Sequence, residues 1–319
     1  MAKKIGLVGI YFPGAYDTLH ENVPEGFELV DALSPEAYGN LADCEYLISR
    51  LDIDPDIINH TPHVKFWQRW GAGFDHVDLK AWGERGIPIA TCPGVNSGIV
   101  AELAIMLMLA GYRNLLQINR QLLEGHFPRT EYFGRSFMIK GKTVGVLGLG
   151  HIGKKVAALV TAFGANVIYY DILRQPEQEE KYGYRFVDFD TLLEQSDIFT
   201  VHCPLNEETR GMISFEQFKK MKSSAMLINT ARGPIVDEAA MIDALTTGKI
   251  ATAGLDTYEH EPLPKDHPLL KLDNVVASAH AGGNTKDNDI NMVNYVYHNI
   301  VAFDRGEPLN TPGDIVNGE

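Results

Sequence analysis

The sequence predicts an α/β protein with two domains, one of them a doubly wound parallel sheet. Three observations carry this. Short β-branched apolar runs alternate with helical patterns along most of the chain, the signature of βαβ units. One of those runs leads through a glycine cluster straight into an amphipathic segment. At 319 residues the chain also exceeds the length that one hydrophobic core usually serves.

In the first part, strands are expected at residues 5–10, 45–49, 64–67 and 87–90, with turns at Pro13-Gly14 and Gly71-Ala72-Gly73, giving a small flavodoxin-like layer. A long apolar helix is expected over 99–124, followed by a polar, irregular stretch over 125–141. Strands then follow at 143–147, 166–170, 197–202, 225–229, 252–256 and 274–278. The last apolar-periodic segment, 289–303, reads as a helix that packs back on the first domain. Residues 1–98 with 284–319 are therefore expected to form one discontinuous domain and 99–283 the other. A weak echo links Ile5-Gly6-Leu7-Val8-Gly9 to Val144-Gly145-Val146-Leu147-Gly148, as expected if both domains use similar units.

The composition is that of an ordinary globular protein, 45% apolar and 22% charged. The net charge of -14 opposes nucleic acid and anionic membranes as partners, because a polyanion would meet a repulsive average field. Cys44, Cys92 and Cys203 are odd in number and widely spaced, so neither a disulfide framework nor a metal site is expected. Met1-Ala2-Lys3-Lys4 leads into a short strand-like run unlike a signal peptide, and the apolar stretch 99–110 is interrupted by Glu102. A cytoplasmic location is the expectation.

Gly148-Leu149-Gly150-His151-Ile152-Gly153 lies between a predicted strand and a predicted helix over 154–163, the context that gives this spacing meaning. Gly148 makes the tight turn, Gly150 lets the backbone approach a pyrophosphate, and Gly153 allows close helix–strand packing. The helix N-terminus adds N–H groups and a positive dipole. Asp171 ends the next strand eighteen residues after Gly153, placed to bind ribose hydroxyls. The domain reads as Rossmann-type. Its cofactor reads as NAD, since a 2′-phosphate would face that carboxylate and Arg174 alone does not obviously remove the repulsion.

Ligands of open parallel sheets gather beyond the carboxyl ends of the strands. Arg232, Asp256, Glu261 and His280 all follow such ends, so a cation, two carboxylates and an imidazole are expected on one rim. A hydride transfer at a secondary alcohol needs an acid/base group near neutrality, which suits His280. Glu261 can fix its tautomer, and Arg232 can clasp a carboxylate and polarise a carbonyl.

Together with Gly148 to Gly153, the segments Asn229-Thr230-Ala231-Arg232-Gly233, Asp256 with Glu261-Pro262, and Ser278-Ala279-His280-Ala281-Gly282-Gly283 resemble the D-2-hydroxyacid dehydrogenases. Gly71-Ala72-Gly73-Phe74-Asp75 and Pro93-Gly94-Val95-Asn96-Ser97 are similar to that family's substrate loop and domain crossover. The resemblance implies Arg232 on the substrate carboxylate, His280 as acid/base with Glu261 as its partner, and Asp256 on the nicotinamide amide. It also implies that the N–H groups of Ala72 and Gly73 bind the carboxylate, and that Cys203, Pro204, Thr230 and Ala231 lie near the cofactor. D stereochemistry and a homodimer involving the helix 99–124 follow from the resemblance alone. Ser278-Ala279 departs from the family's usual Thr-Pro, and the stretch 125–141 is abbreviated. The segment 287–319 is too short for a regulatory domain of the kind some phosphoglycerate dehydrogenases carry.

The expected activity is interconversion of a small D-2-hydroxy acid and its 2-oxo acid, such as glyoxylate, hydroxypyruvate, pyruvate or a longer 2-oxo acid. Arg50, after a predicted strand, matches a basic position in phosphoglycerate dehydrogenase-like members and would read a second anionic group. A dinucleotide-sensing protein of the corepressor kind is an alternative from another class. Formate dehydrogenase fits less well, because it carries an amide at the position of Glu261.

Overall fold

The computed structural model describes residues 2–50, 53–74, 77–311 and 313–317. Asp75 of the glycine-rich loop lies outside them. The chain divides into two compact units, Met1–Asn96 with Asn284–Glu319, and Ser97–Gly283.

The first unit is a parallel sheet of β1 (Lys3–Gly9), β2 (Phe27–Ala32), β3 (Tyr46–Arg50), β4 (Phe66–Arg69) and β5 (Ile89–Ala90). Its order, β2-β1-β3-β4-β5, is flavodoxin-like and reverses direction between β1 and β3. Helices α1 (Pro13–Glu21) and α2 (Leu79–Glu84) belong to this unit, as does the last helix of the chain, Lys286–Arg305. That last helix buries Met292, Val293, Val296 and Ile300 against Ile5, Leu7, Ile48 and Phe66, which explains why residues so distant in sequence share one unit. β2 escapes sequence reading because it is an edge strand, Phe-Glu-Leu-Val-Asp-Ala, with only Ala32 fully buried.

The second unit holds β6 (Thr143–Leu147), β7 (Asn166–Tyr170), β8 (Arg185–Phe186), β9 (Ile198–Val201), β10 (Met226–Asn229), β11 (Thr252–Leu255) and β12 (Val275–Ala277). They form one parallel sheet in the order β12-β11-β10-β9-β6-β7-β8. Its helices are α3 (Ser97–Tyr112), α4 (Leu115–Leu123), α5 (His151–Ala162), α6 (Pro176–Tyr182), α7 (Phe189–Gln195), α8 (Phe215–Lys220) and α9 (Glu238–Thr246). Strand side chains alternate between two cores, as a pleated strand requires. Met226 and Ile228 pack with Ala104, Leu107, Val156 and Val160 on one face. Leu227 packs with Leu193, Phe218, Ala240 and Leu245 on the other. The α/β, doubly wound expectation therefore holds, with the reversal between β6 and β9.

The expected single helix over 99–124 is corrected to two helices bent by 63°. Asn114 causes the break: it is left-handed at φ 50°, a conformation Asn tolerates better than most residues, and its amide donates to Arg135 O and Ser136 Oγ. Among the described residues no single helix is long and apolar enough to cross a membrane.

Candidate active site

The reversal between β6 and β9 creates the crevice in which the glycine turn sits. Gly148 follows β6 at φ 89°, and a Cβ there would lie 2.7 Å from Cys203 N, so only glycine allows the strand ends to approach this closely. At Gly153 a Cβ would lie 2.1 Å from Gly148 O, which is how α5 seats directly on the turn. Gly150 behaves differently: nothing lies within 4 Å of the position its Cβ would take. It is the N-cap of α5, no side chain caps that helix end, and its first turn carries no acid. His151 and Ile152 open the helix there, so their N–H groups are among those without an intrahelical acceptor, at the positive end of its dipole.

Asp171 directly follows β7. Its carboxylate accepts from Leu149 N at 2.7 Å and Leu173 N at 3.1 Å, which holds it beside the glycine turn. Each oxygen keeps acceptor capacity for a further donor.

Across the rim, Asn229 ends β10 and organises the loop after it. It is 1% exposed, its amide donates to Arg232 O at 2.9 Å, and its oxygen accepts from Ala231 N at 3.1 Å. Sequence reading placed Asn229 in a family-like segment but gave it no role; its place at a strand end before Thr-Ala-Arg was the available signal. Gly233 brings this loop against the next one, since a Cβ would lie 1.9 Å from the carbonyl carbon of Tyr258. Arg232 thereby acts electrostatically on Glu261.

Asp256, 2% exposed, follows β11 and clamps the loop that carries the histidine. Its oxygens accept from Ala281 N and Gly282 N, each at 2.9 Å, and its own carbonyl accepts from His280 N at 2.8 Å. His280 sits at φ 50°. A left-handed residue of this kind costs about 1–2 kcal/mol, less than two hydrogen bonds to a charged acceptor at about 1.5–3 kcal/mol each. The clamp therefore decides the conformation.

His280 Nδ1 and Glu261 Oε2 are 2.6 Å apart, and Glu261 Oε1 accepts from Tyr258 N at 3.0 Å. Burial pushes the Glu261 carboxyl up, but the bonds from His280 and Tyr258 and the charges of His280 and Arg232 outweigh it and hold it below the usual range. Glu261 is thus an ionised acceptor, and its bond assigns the Nδ1 proton. Nε2 is left as the nitrogen able to exchange one. Glu261 and His280 are thus in contact, and Arg232 acts on Glu261 through its charge.

Whether NAD fits is tested by what this rim leaves unsatisfied. Thr230 Oγ1, Thr257 Oγ1 and His202 Nδ1 are buried without a partner among the described residues, at the ends of β10, β11 and β9. Orphaned polar atoms grouped at strand ends, beside the open turn at Gly150, suit a polar ligand lying along the rim. Thr257 was missed by sequence reading. Burial drives His202 down to about 3, so its imidazole is neutral, and raises the Cys203 thiol to about 11, which excludes a thiolate there at neutral pH. Pro204 is exposed, and its carbonyl accepts from Thr209 Oγ1.

In the first unit, Arg50 ends β3 and is 7% exposed. Its guanidinium donates to Ile10 O at 3.0 Å and Asn284 Oδ1 at 3.1 Å and lies 4.0 Å from the Phe12 ring centre. Ala72 and Gly73 lie in the turn after β4, with Gly73 O accepting from Arg69. Among the described residues no group of His, Cys, Asp or Glu could hold a metal ion.

Residues 105–282 match the family model of the D-isomer specific 2-hydroxyacid dehydrogenase NAD-binding domain. The chain is 42% identical over 261 residues to D-3-phosphoglycerate dehydrogenase of Archaeoglobus fulgidus, covering 82% of this chain and 49% of that protein, so it spans about half of that relative's length. It is 38% identical over 281 residues to glyoxylate reductase of Korarchaeum cryptofilum, covering 87% and 84% of the two chains. The NAD-complexed D-isomer specific 2-hydroxyacid dehydrogenase of Lactobacillus delbrueckii ssp. bulgaricus superimposes with a TM-score of 0.80 at 28% identity, covering 98% of this chain and all of that one. With an NAD-binding second unit of this geometry and relatives of this similarity, the chain belongs to the D-isomer specific 2-hydroxyacid dehydrogenases.

Proposed function

We propose that this chain reduces a small 2-oxo acid to its D-2-hydroxy acid with NADH, and that His280 is the proton donor. The observation that carries this reading is the 2.6 Å contact between His280 Nδ1 and an ionised Glu261, under the charge of Arg232, at one sheet rim. NADH, when bound, supplies the hydride to C2. Arg232 clasps the substrate carboxylate and polarises the carbonyl, and His280 Nε2 gives its proton to the oxygen as charge develops there. Glu261 keeps the Nδ1 proton in place and counters the imidazolium charge.

The turn from Gly148 to Gly153 would hold the cofactor, with the N–H groups of His151 and Ile152 available to a pyrophosphate and Asp171 to the adenosine ribose. Asp256 keeps lone pairs for the nicotinamide amide beyond the two it gives to backbone. Cys203, Pro204, Thr230 and Ala231 line the cofactor. Residues 1–98 with 284–319 form the substrate-binding domain, in which Arg50 and the N–H groups of Ala72 and Gly73 are the binding groups, and 99–283 the NAD-binding one. Glyoxylate, hydroxypyruvate and pyruvate are the first substrates to assay. A phosphoglycerate dehydrogenase-like substrate is the second reading, favoured by Arg50, a buried guanidinium at a strand end whose hydrogen bonds go to the neutral oxygens Ile10 O and Asn284 Oδ1.

The protein is cytoplasmic and homodimeric in this reading. Three free thiols suit a reducing compartment. Leu115, Leu116, Leu122 and Leu123 of α4 are 43–82% exposed, with Phe127 and Phe133 beyond them at 79% and 76%, an apolar surface of the kind monomers rarely show. Light scattering should give twice the chain mass for the native protein and the chain mass for Leu123→Glu; a native monomer would refute the dimer.

His280→Ala should lower kcat for 2-oxo acid reduction by about a thousandfold or more while NADH still binds within a few-fold. Turnover near the native rate would remove His280 from its role. Glu261→Gln keeps an acceptor for Tyr258 N but removes the charge opposite His280, so kcat should fall about tenfold or more while NADH still binds within a few-fold. An unchanged kcat would contradict the assigned partnership.

A further inference from the structure

Three residues beyond Asp171, the turn between β7 and α6 carries a cation. A 2′-phosphate on the adenosine ribose would be repelled by Asp171, and Arg174 is the residue in that turn able to offset the repulsion. In the structure Arg174 is committed elsewhere. Its Nε and Nη2 donate to Glu179 Oε1 and Oε2 at 2.9 and 2.8 Å, a bidentate fork. Glu179 is itself fixed, because the Tyr169 hydroxyl donates to Oε1 at 2.7 Å and in turn accepts from Gln175 N at 2.8 Å. The Glu179 side chain is 18% exposed where that of Arg174 is 61% exposed. Arg174, with the Tyr169 hydroxyl, holds the Glu179 carboxyl down at about 2, so the pair persists across any working pH.

We infer that Glu179 determines cofactor specificity: by holding Arg174 it denies a 2′-phosphate its counter-ion and reinforces the preference for NADH over NADPH that Asp171 begins. The inference rests on the proposed place of Asp171 at the adenosine ribose. Exposed ion pairs are often weak, and an arginine is long enough to swing away. Two features oppose that here. The acceptor is anchored by Tyr169, and Glu177 and Glu180 on the same helix outnumber its one cation, Lys181, and keep the surroundings negative.

Calorimetric titration of the full chain with 2′,5′-ADP and with 5′-AMP tests this without turnover. Glu179→Gln keeps an acceptor for Tyr169 but loses the charge. It should tighten 2′,5′-ADP about fivefold or more and leave 5′-AMP within about twofold; Arg174→Met in that background should abolish the gain. Arg174→Met alone should leave both ligands within about twofold, because the guanidinium is already engaged. A folded Glu179→Gln with the native ratio of the two affinities overturns the inference, as does a loss of 2′,5′-ADP binding in Arg174→Met alone. Asp171→Ser separates the two levels. If it shifts the ratio toward 2′,5′-ADP while Glu179→Gln does not, the ribose placement stands and the role of Glu179 fails; if it shifts nothing, the placement fails as well.

Discussion

The rest of the candidate site depends on the buried carboxylate of Asp256. Two backbone N–H groups, of Ala281 and Gly282, converge on it, and the carbonyl of the same residue takes the N–H of His280. Those three bonds hold a non-glycine residue in the left-handed region and turn its ring toward Glu261. With a site of this kind, a displacement of about 1 Å is enough to lose much of the rate. A carboxylate with no contact to the reacting atoms would then govern catalysis by fixing the loop.

Around this clamp the same device recurs: at several strand ends of the second unit one polar side chain ties down the loop that follows or the turn beside it. Asp171 ties the end of β7 to the turn after β6, Asn229 ties the loop after β10, and Glu261 ties Tyr258 to His280. The glycines at 148 and 233 let the joined segments approach to distances at which any Cβ would collide. The rim is preorganised, while Thr230, Thr257 and His202 keep buried polar atoms that find no partner among the described residues. Such atoms are costly to leave unpaired, about 1–3 kcal/mol each, and a bound ligand is the economical explanation for grouping them.

What could be read in the sequence was whatever local pattern controls. The glycine spacing fixes its own turn, and β-branched runs fix the central strands, so β6, β7 and β9 to β12 were legible along with the alignment of Arg232, Glu261 and His280 at strand ends. Asn114 was not, because its left-handed turn depends on acceptors at Arg135 and Ser136 that the apolar pattern of α3 and α4 cannot reveal. The edge strands β2 and β8 lacked the burial that marks a strand. Arg174 was visible as a cation near Asp171, but its engagement with Glu179 is a tertiary fact. Asp256 stood out as a candidate at a strand end, yet its bonds to Ala281 and Gly282 were not legible.

The central claim is that Asp256 holds His280 against Glu261. Asp256→Asn is nearly isosteric but turns one acceptor into a donor facing a backbone N–H, so it breaks the clamp without opening a cavity. Proton NMR of the His280 ring measures the result directly. A downfield Nδ1–H resonance, the mark of the short bond to Glu261, is predicted in the native protein and should be lost or moved upfield in Asp256→Asn. A resonance unchanged by the substitution would contradict the account.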